Sequence, residues 1–570
     1  MCGIIGVASL KENNEHKFNV SCELLNHRGP NGFGTFKKNN VILGHKRLSI
    51  LDLSPMGNQP MISTEKGVAI TVNGEIYNFE SLRNELKYKY CFKSNSDSEV
   101  VLWGYIEWGI DKLINKLDGM FAISIYDFKE ELIYLVRDRA GIKPLFYYFD
   151  GNEIYWSSEL EPIKSYYSLE IDSTALYDFL TYRFIPHPKT LYKNVYKLPQ
   201  AHILKFELNS RNINLKKYWN CFDIVERDLT FSEAVEESEF LLRKSIKEQL
   251  VSDVPLGAFL SGGVDSSLVT LFAHQEAKNK NIKTYTIGFK NNKQDESKYA
   301  EIASKVIGTR HNCLNLSEDD ILNLIDKNNN WYSEPFYDPS SIPTYLVSKL
   351  ASESSTVILG GDGADELFGG YDWYRKYNNN NLNSLTTLYE KIFGIDIKIA
   401  NKINRRVLKN FIYDELTNFS IAHGSPLGYE KKSLKNELEV PDDYDDLWAY
   451  RRYYKKSLSE HKRFQLIDFN MFMVDGVLTK VDRLSMRNSI EVRVPFLSNE
   501  MINFALSLKE EILYKNGPKS ILKSIYYKTF KDEIFKRKKQ GFSLPIMDWK
   551  GSLKFEKYPH ESQIKEFNKI

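Results

Sequence analysis

The stretch Ser261-Gly262-Gly263-Val264-Asp265-Ser266-Ser267 puts three serine hydroxyls, two glycines and a carboxylate directly after the apolar run Val254 to Leu260. A buried strand that breaks at glycines into a helix turns unpaired N–H groups toward whatever lies in the turn, which is the physical basis of phosphate binding. The lysine of a G-x-x-x-x-G-K-S/T loop is missing. The turn must therefore rely on backbone amides, on the Ser261, Ser266 and Ser267 hydroxyls and on a cation held by Asp265, a set suited to pyrophosphate more than to a transferring γ-phosphate. A second turn, Gly360 to Tyr371, gathers Asp362, Asp365 and Glu366 with five glycines. Carboxylates beside a phosphate loop call for a counter-charge such as Mg²⁺, although Asp362 and Asp365 could instead only cap the helix that follows. At the other end of the chain stands Cys2. If Met1 is removed, the thiol acquires its own base, an α-amine of unperturbed pKa about 7.7–8.0, and attack on a side-chain amide would give a thioester and ammonia. The plainer alternative is a free thiol opening an apolar strand.

The elements that must position these residues fall into two patterns. Up to about residue 207 the apolar segments are short, rich in Ile, Val, Tyr and Phe and parted by Gly, Asn and Asp, as in Val68–Val72, Met120–Tyr126 and Leu132–Val136. This half reads as strands with a few helices, such as Ser98–Trp108. Residues 208–230 are polar and irregular apart from Tyr218-Trp219 and read as a linker. From residue 231 strands and helices alternate: Val254–Leu260, Ser266–Ala277, Lys283–Phe289, Glu296–Ile307, Asn312–Leu316, Ser341–Ser352 and Thr356–Gly360. Such alternation predicts a parallel sheet with ligands at the carboxyl ends of its strands, where both glycine-rich turns fall. Beyond about residue 380 the pattern is mostly helical.

Composition narrows the function classes. A chain of 570 residues, 42% apolar and 27% charged, is expected to form two or more soluble domains. Seventy-seven basic against seventy-five acidic residues leave +2 with no long single-sign block, which sets nucleic acid aside as a partner. The five cysteines lack C-x-x-C spacing, so neither a disulfide framework nor a zinc site is expected. No signal-peptide pattern opens the sequence, and no apolar run reaches the roughly 18 residues of a membrane span. The expectation is a cytoplasmic protein with no membrane partner.

The phosphate turn, with Asp295-Glu296, the Gly-Asp-Gly-Ala-Asp-Glu loop and Glu491 to Leu497, resembles the synthetase half of glutamine-hydrolysing asparagine synthetases, an ATP-pyrophosphatase-type domain. Met1-Cys2-Gly3-Ile4, His27-Arg28-Gly29-Pro30, Gly44 to Ile50, Asn73 to Asn78 and Ser96-Asp97 resemble, in order, a class II glutamine amidotransferase domain. The resemblance implies an Ntn-hydrolase-type αββα sandwich over residues 1–207 and a doubly wound parallel-sheet domain with a helical carboxyl-terminal part over 231–570. It implies that Arg47 holds the glutamine carboxylate, Glu75 and Asp97 its ammonium group, and the Asn73 amide with the Gly74 N–H an oxyanion hole. Phe259 and Ile287 would flank the adenine and ribose, Gly360 and Gly361 would contact the nucleotide, and Asp362 would act at adenylation. Asp265 and Asp365 are the expected Mg²⁺ ligands. Developing charge on phosphate asks for a cation, for which Lys519 is the first choice and Lys480 the second, each of which could instead be an ordinary exposed lysine. His27 is expected to be structural or gating.

Two regions depart from the family pattern. Asn31 stands where many relatives have Asp, with little effect expected. Asp362 stands where the best-known members carry Glu, and Asp338 to Thr344 lacks an arginine that helps place aspartate in them. The resulting expectation is ATP-dependent, glutamine-hydrolysing amidation of aspartate through an acyl-adenylate, with ATP and Mg²⁺ as cofactors. The alternatives are another carboxylate, for example a uronic acid, and a non-catalytic binding protein on the same fold. Arg537 to Pro545 forms a short basic cluster, either a solvated face or a contact to phosphate or acceptor. Oligomeric state is not legible, a homodimer being what the resemblance would suggest.

Overall fold

A computed structural model describes residues 1–9, 14–277, 282–289, 295–317, 331–375, 414–425 and 428–530. The basic cluster at 537–545 lies outside them.

The amino-terminal half is built from period-two strands. Along β1 (Gly3–Ala8), Ile4 and Ala8 face one way and Ile5 and Val7 the other, each set joining a different core. Two antiparallel sheets result. The first has the order β10 (Val195–Lys197), β8 (Phe146–Phe149), β9 (Ile154–Ser157), β1, β3 (Val41–Arg47), β2 (Gly32–Lys38). The second runs β12 (Ile213–Lys217), β11 (His202–Glu207), β7 (Leu132–Arg137), β6 (Gly119–Asp127), β5 (Val68–Ile76), β4 (Met61–Ser63). Between them lie Ile4, Leu43, Ala122, Tyr126 and Trp156, packed tightly enough that a Cβ at Gly6 would overlap the Trp156 indole. Helices Glu15–Glu23, Leu160–Tyr166 and Ser173–Tyr182 cover the outer face of the first sheet. Phe79–Leu86 and Glu99–Lys116, the latter kinked at Gly109, cover the second. This is the αββα sandwich that the family resemblance implied.

One boundary moves. Residues 213–217, read as linker, pair antiparallel with β11 and form the edge of the second sheet. The strand is exposed and carries Lys216 and Lys217, so its apolar alternation is weak, as suits a sheet edge protected by charge.

In the other half β13 (Leu256–Phe259), β14 (Lys283–Phe289), β15 (Arg310–Leu316), β16 (Val357–Leu359) and β17 (Glu491–Arg493) form one parallel sheet in the order β15-β14-β13-β16-β17. The strand order reverses direction between β13 and β16, which makes the crevice beyond their carboxyl ends the place where ligands bind in doubly wound sheets. The fifth strand comes from the region read as mostly helical. Only three residues long, Glu491–Arg493 is fully buried beside β16, a context that local sequence does not show. Helices including Glu460–Asn470, Thr479–Met486, Asn499–Ser507 and Ser520–Tyr526 pack around the sheet. No helix among the described residues is long and apolar enough to cross a membrane.

Candidate active site

Two centres emerge, one in each half. At the first, the Cys2 backbone nitrogen donates to Asn73 Oδ1 at 3.0 Å, and Cys2 Sγ lies 3.9 Å from the Leu48 carbonyl. Asn73 is fully buried on β5, and its Nδ2 lies 3.5 Å from Ser158 Oγ. The next residue, Gly74, must be glycine, because a Cβ there would overlap the Met120 carbonyl oxygen on β6. Burial pushes the Cys2 thiol above its ordinary pKa, against the nearby terminal ammonium, so the sulfur holds its proton until a base removes it. With Met1 attached, the terminal amine is itself buried, 3.2 Å from Glu491 Oε2.

Glu75 and Asp97 are buried close by. Asp97 Oδ2 accepts from the Ile76 N–H at 2.7 Å, and burial, with the charges of Glu491 and Asp97, raises the Glu75 carboxyl pKa well above the ordinary range. Arg47 differs from a ready clamp. Its Nη1 donates to the Ser54 carbonyl at 2.8 Å and to Asn58 Oδ1 at 2.9 Å, and its Nη2 to the Leu51 and Asp52 carbonyls. A two-pronged contact to an incoming carboxylate therefore requires the 51–58 loop to release some of these donors.

His27 sits in the ion network between the halves, not as a free base. Its Nε2 lies 3.0 Å from Glu159 Oε1. Burial works against charge on Glu159, but Arg483, His27 and Arg28 outweigh it and hold the carboxyl well below its usual range. Arg28, fully buried, donates to the Cys2 carbonyl at 3.1 Å, to Glu159 at 2.9 Å and to both oxygens of Asp482. Sequence reading missed Asp482 and Arg483, which carry no motif of their own and meet Arg28 and Glu159 only across the domain interface.

The second centre lies at the switch point. Ser261 Oγ and Ser266 Oγ are 3.0 Å apart, the Gly263 N–H donates to Ser261 Oγ at 3.3 Å, and Gly262 has φ 73° with no room for a Cβ against the Tyr299 backbone. Helix Val264–Glu276 begins without a side-chain cap, so its first N–H groups point into the turn. A Cβ on Gly361 would lie 3.1 Å from Ser266 N, so the two glycine-rich loops are in contact. Lys519 reaches into this junction, ion-paired to Asp265 and, at 2.7 Å, to Asp365. It is buried, and its two carboxylates overcome the burial to raise its pKa, so it is a fixed ammonium and not an ordinary exposed lysine. Lys480 lies 3.1 Å from Asp338 and 2.7 Å from Ser340 Oγ. Burial raises the Asp362 pKa, with Lys480 opposing.

These residues line one cleft of about 1030 Å³ that includes Phe259, Ser261–Ser266, Gly360–Gly363, Asp365, Lys480 and Lys519. Two expected residues do not line it. Ile287 is buried in the sheet core beside Tyr285, and the lining of the cleft takes Tyr285 and Thr286 from this strand but not Ile287. Ser267 is fully buried beneath the turn and its hydroxyl has no hydrogen-bond partner. The cleft also takes Tyr182, Arg183 and Phe184 from the amino-terminal half, which nothing in the sequence indicated. Asp265 and Asp365 converge on a single ammonium, and no group of three or more His, Cys, Asp or Glu gathers as a metal site among the described residues. Two carboxylates completed by phosphate oxygens is a donor set that fits Mg²⁺.

Comparison with known proteins agrees with this division. Residues 1–219 match the glutamine amidotransferase domain model, and residues 237–558 match the asparagine synthase model. The chain is 34% identical over 529 residues to a protein of Methanocaldococcus jannaschii provisionally described as a glutamine-hydrolyzing asparagine synthetase, covering 87% of this chain and 100% of that one. It is 31% identical over 572 residues to asparagine synthetase 1 of Bacillus subtilis, also glutamine-hydrolyzing, covering 96% and 88%. Two halves with these matches, each with its own centre, identify the chain as a member of the glutamine-hydrolysing asparagine synthetase family, a glutamine-dependent ligase.

Proposed function

We propose that the chain hydrolyses glutamine at Cys2, passes the ammonia internally, and uses it to amidate a carboxylate that ATP has adenylated in the second cleft, with AMP and pyrophosphate released and aspartate as the acceptor. A carboxylate is a poor acylating agent, and AMP supplies its leaving group. Removal of Met1 frees the Cys2 amine to accept the thiol proton. The Asn73 amide and the Gly74 N–H then meet the developing oxyanion, while Arg47, Glu75 and Asp97 hold the glutamine backbone groups. In the second cleft the Ser261–Ser267 turn, with Gly360 and Gly361, takes the nucleotide phosphates, and Lys519 offsets charge developing at the leaving pyrophosphate. Mg²⁺, when bound, would be held by Asp265 and Asp365 and would neutralise phosphate charge there. Asp362 and Lys480 lie on the acceptor's side of this chemistry.

The observation that carries the reading is the meeting of the two strand-end loops over Lys519, opposite a domain whose Cys2 carbonyl is tied by Arg28 to Asp482. The test is purified protein with glutamine, ATP, Mg²⁺ and aspartate. Asparagine, AMP and pyrophosphate should form together, and AMP formation that ignores aspartate overturns the acceptor. A second acceptor, a carboxylate on a larger molecule, is favoured by the aromatic wall of the cleft, where Tyr182, Phe184, Phe336, Trp373 and Phe472 gather.

A further inference from the structure

The cleft holds several cations with different surroundings. Lys519 is held between Asp265 and Asp365, and Lys480 by Asp338 and Ser340. Arg183 is different. It makes no ion pair or side-chain hydrogen bond among the described residues, and its Nε is buried without a hydrogen-bond partner. The side chain as a whole is half-buried and its Nε donor is enclosed without an acceptor, so a bound carboxylate would supply the missing partner.

The fold also goes to some length to place it. Arg183 ends helix Ser173–Tyr182 in the left-handed region, φ 68°, a conformation that a non-glycine residue adopts at a cost and that tends to mark functional sites. Its carbonyl accepts from the Tyr337 N–H at 2.8 Å, and its guanidinium lies over the Tyr337 ring, 5.6 Å from the centroid. On the other side Gly424, with φ 89°, makes room: a Cβ there would overlap the guanidinium nitrogens. Tyr337 adjoins Asp338, so Arg183 lies one residue's breadth from the pair Asp338–Lys480, with which it lines the same cleft.

We propose that Arg183, contributed by the glutaminase half, binds a second anionic group of the acceptor, the one that is not adenylated, and thereby selects acceptors that carry two acid groups. For aspartate this is the α-carboxylate. A planar guanidinium offers two parallel donors to a carboxylate, which fixes orientation as well as charge. The assignment rests on the amidation reading above, and it makes the acceptor pocket a joint product of both halves.

The test uses the full chain with ammonium as nitrogen source, so that glutaminase turnover does not enter, and follows AMP release. R183Q is expected to raise the KM for the acceptor by about tenfold or more, with kcat falling by much less and the KM for ATP steady, as for a lost binding contact; R183K should recover part of the loss. Wild type should prefer aspartate to 3-aminopropanoate, which lacks the α-carboxylate, and R183Q should lose that preference. An unchanged acceptor KM, a preference that survives in R183Q, or a rise in the KM for ATP instead overturns the assignment. If aspartate supports no AMP release, the aspartate reading fails by itself. Calorimetric titration with a panel of mono- and dicarboxylates then decides Arg183: a diacid must bind wild type about tenfold more tightly than R183Q, and equal or absent binding refutes the proposal.

Discussion

Arg28 grips Asp482 with both arms of its guanidinium, Nη1 to Oδ2 at 2.8 Å and Nη2 to Oδ1 at 3.0 Å, while its Nε donates to the Cys2 carbonyl. A residue two sites from the start of the sequence is thereby anchored to one in the helix Thr479–Met486. All of these groups are buried, so removing one partner leaves charge without compensation. Asp482→Ala should lower stability by about 3–5 kcal/mol and reduce glutaminase turnover as well, because the Cys2 main chain loses its brace. Urea unfolding beside a glutamine hydrolysis assay checks both, and a stability loss under about 1 kcal/mol would mean that the pair behaves as a surface contact.

Cys2→Ala removes the proposed nucleophile and little volume. Glutamine-dependent product should disappear while ammonium-dependent AMP release persists within about a factor of two or three. Retained glutamine hydrolysis would exclude Cys2 from the chemistry.

Gly74→Ala tests the oxyanion site through its backbone. The added Cβ overlaps the Met120 carbonyl oxygen, so β5 must shift from β6 at Gly74 itself and carry its N–H with it. Displacing one oxyanion donor is expected to lower glutaminase kcat by about 10²–10³, with a stability cost of about 1–3 kcal/mol. Unaltered kcat would show that this N–H is not used.

Lys519→Ala leaves Asp265 and Asp365 facing each other without their shared ammonium. Acceptor-dependent exchange of labelled pyrophosphate into ATP should fall by about 10² or more, while glutamine hydrolysis measured alone is much less affected. Equal losses in both assays would point to unfolding instead.

Glu366, buried and hydrogen-bonded by the Tyr371 hydroxyl at 2.7 Å, has its pKa pushed up to about 7 by burial and by the charge of Asp365. The folded state thus keeps a proton that the unfolded chain releases near 4.5. This contribution is complete below pH of about 4.5 and is lost as pH rises toward 7, about 3 kcal/mol in all. Glu366→Gln should therefore gain in melting temperature relative to wild type between pH 5 and pH 8. A constant gap across that range would show that Glu366 titrates normally.

What could be read from the sequence follows physical locality. The Ser261–Ser267 and Gly360–Gly370 turns were legible because tight turns at strand ends need glycines and hydroxyls in one short stretch, and the strands at Val68–Val72, Met120–Tyr126 and Leu132–Val136 were legible because short apolar runs parted by turn residues mark strands. The edge strand Ile213–Lys217 escaped because an exposed edge needs no apolar face, and Glu491–Arg493 because three residues carry no period.

By itself the sequence determined a strand-rich first half, an alternating strand–helix second half with a parallel sheet and both glycine-rich turns, since each depends on residues close together in the chain, while the αββα sandwich was implied by the family resemblance. Only the tertiary structure decided that Lys519 stands between Asp265 and Asp365, that Ile287 faces the core, that His27 joins Glu159, and that Arg183 enters a cleft built mostly by the other half. These are contacts between residues far apart in sequence. They arise when buried charges must find partners and when packed faces choose which side chains the cleft receives, and neither choice leaves a local pattern.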